Sequence, residues 1–354
     1  MTGIIEMTGL SSSSEHRRCS FFLTRKKRYC RMLVKRDKQF CGEHATSEQV
    51  PDRKRIACPL DSKHTIYEDE LIKHLKKCNS RTKTDQEWCE ENVNVIPVDT
   101  SRKKLTLVEL SRSELDCLIT KCKELYEGIP TSSKRSASVS IKSRYLSKDR
   151  NDPTLSESTK KHIHQAASLL QIMEDNGMLI DGTCFIEFGA GKARLSYYLA
   201  NATKHLSNCS YVLIDQSGSR GKFENKALAI DPSVKFVRIR SSIEHVNIAN
   251  VPTIRDAKHR VAIWKHLCGS ATDIAIRCIE NAMSVTDFTK LCFRGILAVP
   301  CCHHRCDWEN YIGQTWLSEN QFSPEEFDVL TAICSWATCG IEENDAGITG
   351  FDNR

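Results

Sequence analysis

Cys58, His64, His74 and Cys78 follow one another as Cys-x5-His-x9-His-x3-Cys, and Cys19, Cys30, Cys41 and His44 form a second set just ahead of them. Thiolates and imidazoles in groups of four are the donors that tetrahedral zinc takes. The two sets therefore predict two zinc ions and two small folds that depend on them. The stretch 68–78 has helical spacing, with Leu71 and Leu75 on one stripe and His74 and Cys78 four apart on one side. The facing donors start from the turn Cys58-Pro59-Leu60-Asp61, so one metal would tie a loop to a helix in a unit too small to bury its own core.

A different chemistry is written further along. Phe185-Ile186-Glu187-Phe188-Gly189-Ala190-Gly191 reads as a strand running into a glycine turn, where missing side chains let the backbone approach a ligand. The third glycine of the dinucleotide fingerprint is absent. The next strand ends in Asp215, placed to accept hydrogen bonds from both hydroxyls of a ribose. Glu187, directly before the turn, opposes a pyrophosphate but suits the sulfonium and ammonium of S-adenosylmethionine. Glu187, Gly189, Ala190, Gly191 and Asp215 are thus the expected cofactor residues, with Ser242 and Cys268 completing the set. The bland alternative is a strand-end acid beside a plain turn.

Two later strands deliver reactive groups: Lys265-His266-Leu267-Cys268-Gly269 with Asp273 in the following helix, and Pro300-Cys301-Cys302-His303-His304-Arg305-Cys306. Methylation of an oxygen needs the hydroxyl aligned with the sulfonium and a group to take its proton. His266, His303 or His304 could act as that base, while Lys265 and Arg305 could hold phosphates. The trio Cys301, Cys302 and Cys306 with the two histidines also resembles a metal site, although adjacent cysteines rarely both bind one tetrahedral zinc. A cysteine nucleophile attacking a pyrimidine, or thiols filling a tight corner, are the other readings.

These groups need elements to hold them. Helical spacing is predicted over 105–125, and again from a Ser156 or Ser158 cap through Ile163, Ala166, Leu170 and Met173. Strands are then predicted at 184–188, 211–214, 234–239, 260–264 and 295–299, with helices at 193–202, 221–229 and 271–283 between them. Strands alternating with helices imply right-handed crossovers, a parallel doubly wound sheet, and a ligand at the carboxyl ends of its strands.

Composition sets the bounds. At 354 residues the chain has room for more than one domain. Its 18 cysteines follow a start without the apolar run of a signal peptide, so reduced thiols inside the cell, in cytoplasm or nucleus, are expected. No stretch approaches the roughly 18 apolar residues that span a bilayer, so no membrane association is expected. No obligate protein partner is evident. The net charge of +6 is uneven, because Arg17, Arg18, Arg25, Lys26, Lys27, Arg28 and Arg31 crowd around the first cysteines with Phe21, Phe22 and Tyr29 among them. Cations interleaved with aromatics suit RNA better than a merely solvated loop. The segment 131–153, rich in Ser, Lys and Arg, is expected to be a basic linker.

Together these residues resemble the eukaryotic tRNA 2'-O-methyltransferases that modify nucleotide 4 of the acceptor stem. The resemblance runs from Cys19 to about Gly340. It rests on both metal sets, Ile186 to Lys192, Lys265 to Gly269, Ala271 to Asp273, Cys301 to Trp308, and Ser335-Trp336-Ala337-Thr338-Cys339-Gly340. The second finger also resembles one in a minor-spliceosome protein that contacts RNA. The resemblance implies an α/β fold: a Rossmann-like class I methyltransferase domain (156–354) behind a CCCH finger (16–46) and a CHHC finger (55–80). A disordered start (1–15) and a helical connector with the basic linker (81–155) complete the division. It implies tRNA as partner, S-adenosylmethionine as methyl donor, and a 2'-hydroxyl of cytidine or adenosine as acceptor.

Three departures from the family's pattern stand out. Ala193 replaces the glycine usual after Lys192, and Ser241-Ser242 stand where an acid would be expected to meet adenine. The chain also stops at Arg354, leaving little room for the strand pair that normally closes a seven-stranded methyltransferase, so an incomplete chain is expected. These departures motivate the competing reading, a zinc-finger RNA-binding adapter with a non-catalytic methyltransferase-like domain.

Overall fold

The computed structural model describes residues 18–24, 27–30, 32, 34, 39–41, 44, 54–78, 81, 86–97, 102–130, 143–217, 223–284 and 292–335. The expected disordered start, most of the basic linker and the motif from Trp336 to Gly340 lie outside them. The chain divides into two compact units, Met1–Thr82 and Lys83–Arg354.

The first unit holds a two-residue hairpin, β1 (Phe22–Leu23) with β2 (Arg28–Tyr29), then the antiparallel pair β3 (Arg55–Cys58) and β4 (Asp61–Tyr67), then helix α1 (Leu71–Lys77). A register shift between Ala57 and Cys58 carries Cys58 off the regular ladder. In the short hairpin successive side chains alternate sides. Phe21, next to it, stacks on His44 at 4.0 Å, whereas Phe22 and Tyr29 are 46% and 64% exposed and meet edge to face at 5.2 Å.

The second unit begins with helix α2 (Arg112–Gly128). The helical pattern expected over 105–125 is broken at Ser111, whose hydroxyl and the Glu114 carboxylate form a capping box and start α2 afresh after a short turn at Leu107–Glu109. Next come α3 (Ser147–Arg150) and α4 (Glu157–Asp175), the latter capped by Ser156. The sheet then builds as β5 (Thr183–Phe188), α5 (Arg194–Ala202), β6 (Ser210–Ile214), α6 (Phe223–Ile230), β7 (Lys235–Ile239), α7 (Pro252–Arg255), β8 (His259–Lys265), α8 (Ser270–Ser284) and β9 (Gly295–Val299). All neighbours are parallel, in the order β7-β6-β5-β8-β9, so the order reverses beside β5. Every strand expected from the sequence is present within a residue or two.

Period-two alternation divides β5 between two cores. Cys184, Ile186 and Phe188 face α8 and the turns after β7, while Phe185 faces α4 and α5. Both faces are covered, which is why the strands read as continuous apolar runs rather than alternating ones. A third apolar cluster joins α2 to α9 (Gln314–Glu319) and α10 (Pro324–Cys334) through Leu118, Leu317, Phe322 and Phe327. Arg102 fastens it by a two-pronged pair to Asp328, at 2.6 and 3.0 Å, and a bond to Glu309 at 3.2 Å. Thus α2 packs into the sheet unit. Among the described residues no helix is long and apolar enough to cross a membrane.

Candidate active site and metal centres

In the first unit both four-residue sets converge. Cys19 Sγ and Cys41 Sγ lie 3.5 and 3.3 Å from His44 Nδ1, and Cys30 and Cys41 Sγ are 3.9 Å apart. In the second set Cys58 and Cys78 Sγ are 3.7 Å apart, His64 and His74 Nε2 are 3.1 Å apart, and His74 Nε2 lies 3.2 Å from Cys58 Sγ. A tetrahedron with zinc bonds of about 2.0–2.3 Å has edges of roughly 3.3–3.8 Å. Both donor sets fit zinc. The Cys58 end sits at the irregular turn between β3 and β4, and α1 presents His74 with Cys78 just past its last residue.

In the second unit the strands' carboxyl ends gather the expected cofactor residues. Gly189, Gly191 and Ala193 all have left-handed φ, of 65°, 48° and 57°. At Gly189 the left-handed φ disfavours any side chain and a Cβ would lie 2.8 Å from Leu267 Cδ1, whereas one on Gly191 would meet nothing within 4 Å. Open space therefore faces the turn at Gly191. Asp215 closes the turn: Oδ2 accepts from Gly191 N at 2.7 Å and Oδ1 from Ser217 N at 2.7 Å. Oδ1 also accepts from the Ser217 hydroxyl, so it is Oδ2 that keeps a lone pair for a further donor.

Beyond β7, Ser241 is buried and its Oγ has no partner, while Ser242 is half-buried at the start of the turn Ile243–His245. An orphaned hydroxyl, open backbone and a carboxylate with acceptor capacity at one sheet edge fit the nucleoside of S-adenosylmethionine. A cavity of about 570 Å³ in the same unit is lined in part by Asn92, Glu244, Cys268, Ser270 and Arg305.

Glu187 is 5% exposed, and its Oε2 accepts from Ser196 N at 3.1 Å and from the Ser196 hydroxyl. It ties the first turn of α5 back to β5. Burial pushes its carboxyl up to about 7 against the opposing pull of the Ser196 bonds and of Arg238. A cation brought beside it would favour the ionised form. Ala190 is buried, its N–H donating to Ile214 O at 3.1 Å.

The reactive residues are divided. Lys265 ends β8, and its Nζ donates to Gln165 Oε1 on α4 at 2.7 Å. Burial and then the Arg194 charge lower its affinity for a proton. His162, on α4, is held down by burial and then by Arg194, Lys265 and His266. Lys265 and Arg194 thus bring positive charge beside His162 and His266 at the carboxyl edge. His266 is exposed, with φ of 61°, a strained setting of the kind that collects at functional sites. Past neighbouring β9, His303 and Arg305 are exposed and His304 is half-buried with an unpartnered Nδ1. Asp273 lies under the surface, 4% exposed, its Oδ1 accepting from Ile312 N at 3.2 Å, and burial raises its carboxyl.

The cysteines regroup as well. Cys301 and Cys302 meet Cys268 of the preceding loop, while the turn His303–Arg305 carries Cys306 away to pack in the α2–α10 cluster. Arg194, His162 and Gln165 are additions that the sequence motifs did not single out. Arg194 was within reach, as the first helical residue after the glycine turn. His162 and Gln165 come from a helix more than 90 residues ahead of β8, and no local spacing marks them.

A five-stranded parallel sheet with an open glycine turn, an acid closing it, and two four-donor metal centres define an S-adenosylmethionine-dependent methyltransferase that carries zinc fingers. Family models divide the chain in the same way: "Methyltransferase TRM13" matches residues 164–350, "CCCH zinc finger in TRM13 protein" residues 17–45, and "U11-48K-like CHHC zinc finger" residues 55–79. The chain belongs to the TRM13 methyltransferase family. It is similar to the mouse protein named "tRNA:m(4)X modification enzyme TRM13 homolog", with 36% identity over 93% of this chain and 76% of the relative. The human protein of that name is 35% identical over 92% of this chain and 75% of its own length. The Saccharomyces cerevisiae "tRNA:m(4)X modification enzyme TRM13" is 29% identical over 94% and 81%.

Proposed function

We propose that this protein methylates tRNA at the ribose 2'-hydroxyl of nucleotide 4 in the acceptor stem, on cytidine or adenosine. Membership in a family whose named relatives modify tRNA supports the substrate class. The observation that carries the reading is the placement of Lys265 and Arg194, with His162 and His266 beside them, at the carboxyl ends of the strands. A polyanion entering that edge meets cations first.

S-adenosylmethionine, bound along Gly189–Gly191, Asp215 and Ser241–Ser242, supplies an electrophilic methyl group. Lys265, anchored by Gln165, and Arg305 neutralise backbone phosphates and set the register of the ribose. His266, exposed beside Lys265, takes the proton from the attacking hydroxyl. Glu187 holds the glycine turn and α5 in place through Ser196. In the finger unit, exposed Phe22 and Tyr29 beside Arg28 offer stacking faces and charge for RNA. The adapter reading loses one motive, since Ala193 still adopts the left-handed turn that a glycine would.

With full-length protein, undermethylated tRNA and labelled S-adenosylmethionine, label should pass to the tRNA. His266→Ala should lower kcat by about 10²–10⁴-fold, the usual contribution of a general base, with cofactor affinity kept. Absence of transfer while calorimetry records binding of both tRNA and cofactor would favour the adapter.

A further inference from the structure

Two loops that the sequence keeps 33 residues apart bring three thiols together outside the fingers. Cys268 Sγ, on the loop after β8, lies 3.1 Å from both Cys301 Sγ and Cys302 Sγ just past β9, and those two are 3.5 Å apart. In a strand, neighbouring side chains point to opposite faces. Cys302 has left the strand, with φ −120° and ψ 67°, and this is what lets adjacent sulfurs share one side. All three residues are half-buried.

The loops are built to stay close. Gly269 has φ of 60°, and a Cβ there would collide with the Arg305 carbonyl. Asp307 N donates to Ser270 Oγ at 3.0 Å, and the Ser270 hydroxyl donates to the Asp307 carboxylate.

We propose that Cys268, Cys301 and Cys302 form a third zinc site, with three thiolate ligands and one open position. The sulfur triangle is tighter than the Cys–Cys edges of 3.9 and 3.7 Å in the finger sites. An ion at the usual zinc–thiolate distance of about 2.3 Å caps that triangle from one side rather than lying within it. Its fourth position then faces away from the sulfurs, free for a water or another oxygen or nitrogen donor. Soft thiolates select zinc over magnesium or calcium. The ion would pin the loop that carries Lys265 and His266 to the one that carries His303 to Arg305. The inference requires neither methyl transfer nor tRNA.

The full chain, expressed with zinc and purified under reducing conditions, tests it by metal counting. Three zinc ions per chain are expected in the wild type, and one fewer in Cys301→Ser and in Cys302→Ser, with thermal melting to confirm that the sheet unit remains folded. Independently of any variant, native alkylation with iodoacetamide should spare Cys268, Cys301 and Cys302 until a chelator is added, as mapped by mass spectrometry. An equal metal count in wild type and both variants overturns the site. So does alkylation of all three thiols in the zinc-loaded protein, or a disulfide among them.

Discussion

Among the described residues of the finger unit the buried apolar side chains are Cys19, Cys30, Cys41, Cys58, Cys78 and Ile66, so all but one are candidate metal ligands. In the sheet unit Trp264, Phe185, Phe188, Leu170, Leu199 and many others are wholly buried in two cores, one on each face of five parallel strands. One unit trades apolar burial for metal bonds; the other rests its strands on two apolar cores. Each half is therefore vulnerable in its own way: the first to loss of zinc, the second to loss of packing and of a few polar groups at the strand ends.

The largest expected effect follows from removing metal. Structural zinc supplies roughly 10 kcal/mol or more of folding free energy to such modules, so a strong chelator should unfold the two fingers and, on the proposed function, weaken tRNA binding. The α5, α8 and sheet signals in a ¹H–¹⁵N spectrum of the full chain should stay dispersed. Persistence of dispersed finger signals would break the contrast.

Asp215→Ala comes next. It removes an acceptor for the cofactor and the clasp on Gly191 N, and hydrogen bonds to a charged group are worth about 1.5–3 kcal/mol. Calorimetry should show S-adenosylmethionine affinity weakened by roughly 10- to 150-fold, with tRNA affinity little changed.

Glu187→Gln sharpens the account of the buried acid. The folded carboxyl titrates near 7 against an ordinary 4.5, so the folded state holds its proton longer than the unfolded chain. Stability from this group is therefore full below about 4.5, falls as pH rises towards 7, and stays low above it. Melting followed from pH 5 to 8 should show that fall in the wild type and a flatter profile in Glu187→Gln. The gap is at most about 3 kcal/mol, the ceiling set by the shift in pKa.

Ala193→Gly should have the smallest effect. A left-handed alanine costs roughly 1–2 kcal/mol, while losing a buried methyl forfeits about 0.8 kcal/mol. A net gain of a fraction of a kcal/mol in a denaturant melt is expected, with cofactor binding unchanged or slightly tighter.

Strands β5 to β9 were legible because burial on both faces leaves unbroken apolar runs, and the metal sets were legible because each is compact along the chain. The helix expected over 105–125 was not divided correctly, since the Ser111–Glu114 capping box lies inside an otherwise continuous apolar period. The positions of Gly189, Asp215, Lys265 and His266 at the strand ends were legible, because each directly follows or ends an apolar run. What was not legible depends on contacts between distant elements: Gln165 meeting Lys265, Cys268 replacing Cys306 beside Cys301 and Cys302, and Asp273 buried under Ile312. Side-chain direction at such crossings is set by packing, which no spacing rule contains.

Mass mapping of methyl groups on tRNA after reaction with the full chain and S-adenosylmethionine tests the central claim most directly, because one spectrum reports activity, nucleotide and atom class. A single cofactor-dependent methyl on the ribose of nucleotide 4 in the acceptor stem is expected. A methyl on a base, or tRNA left unmodified by protein that binds both zinc and cofactor, would contradict it.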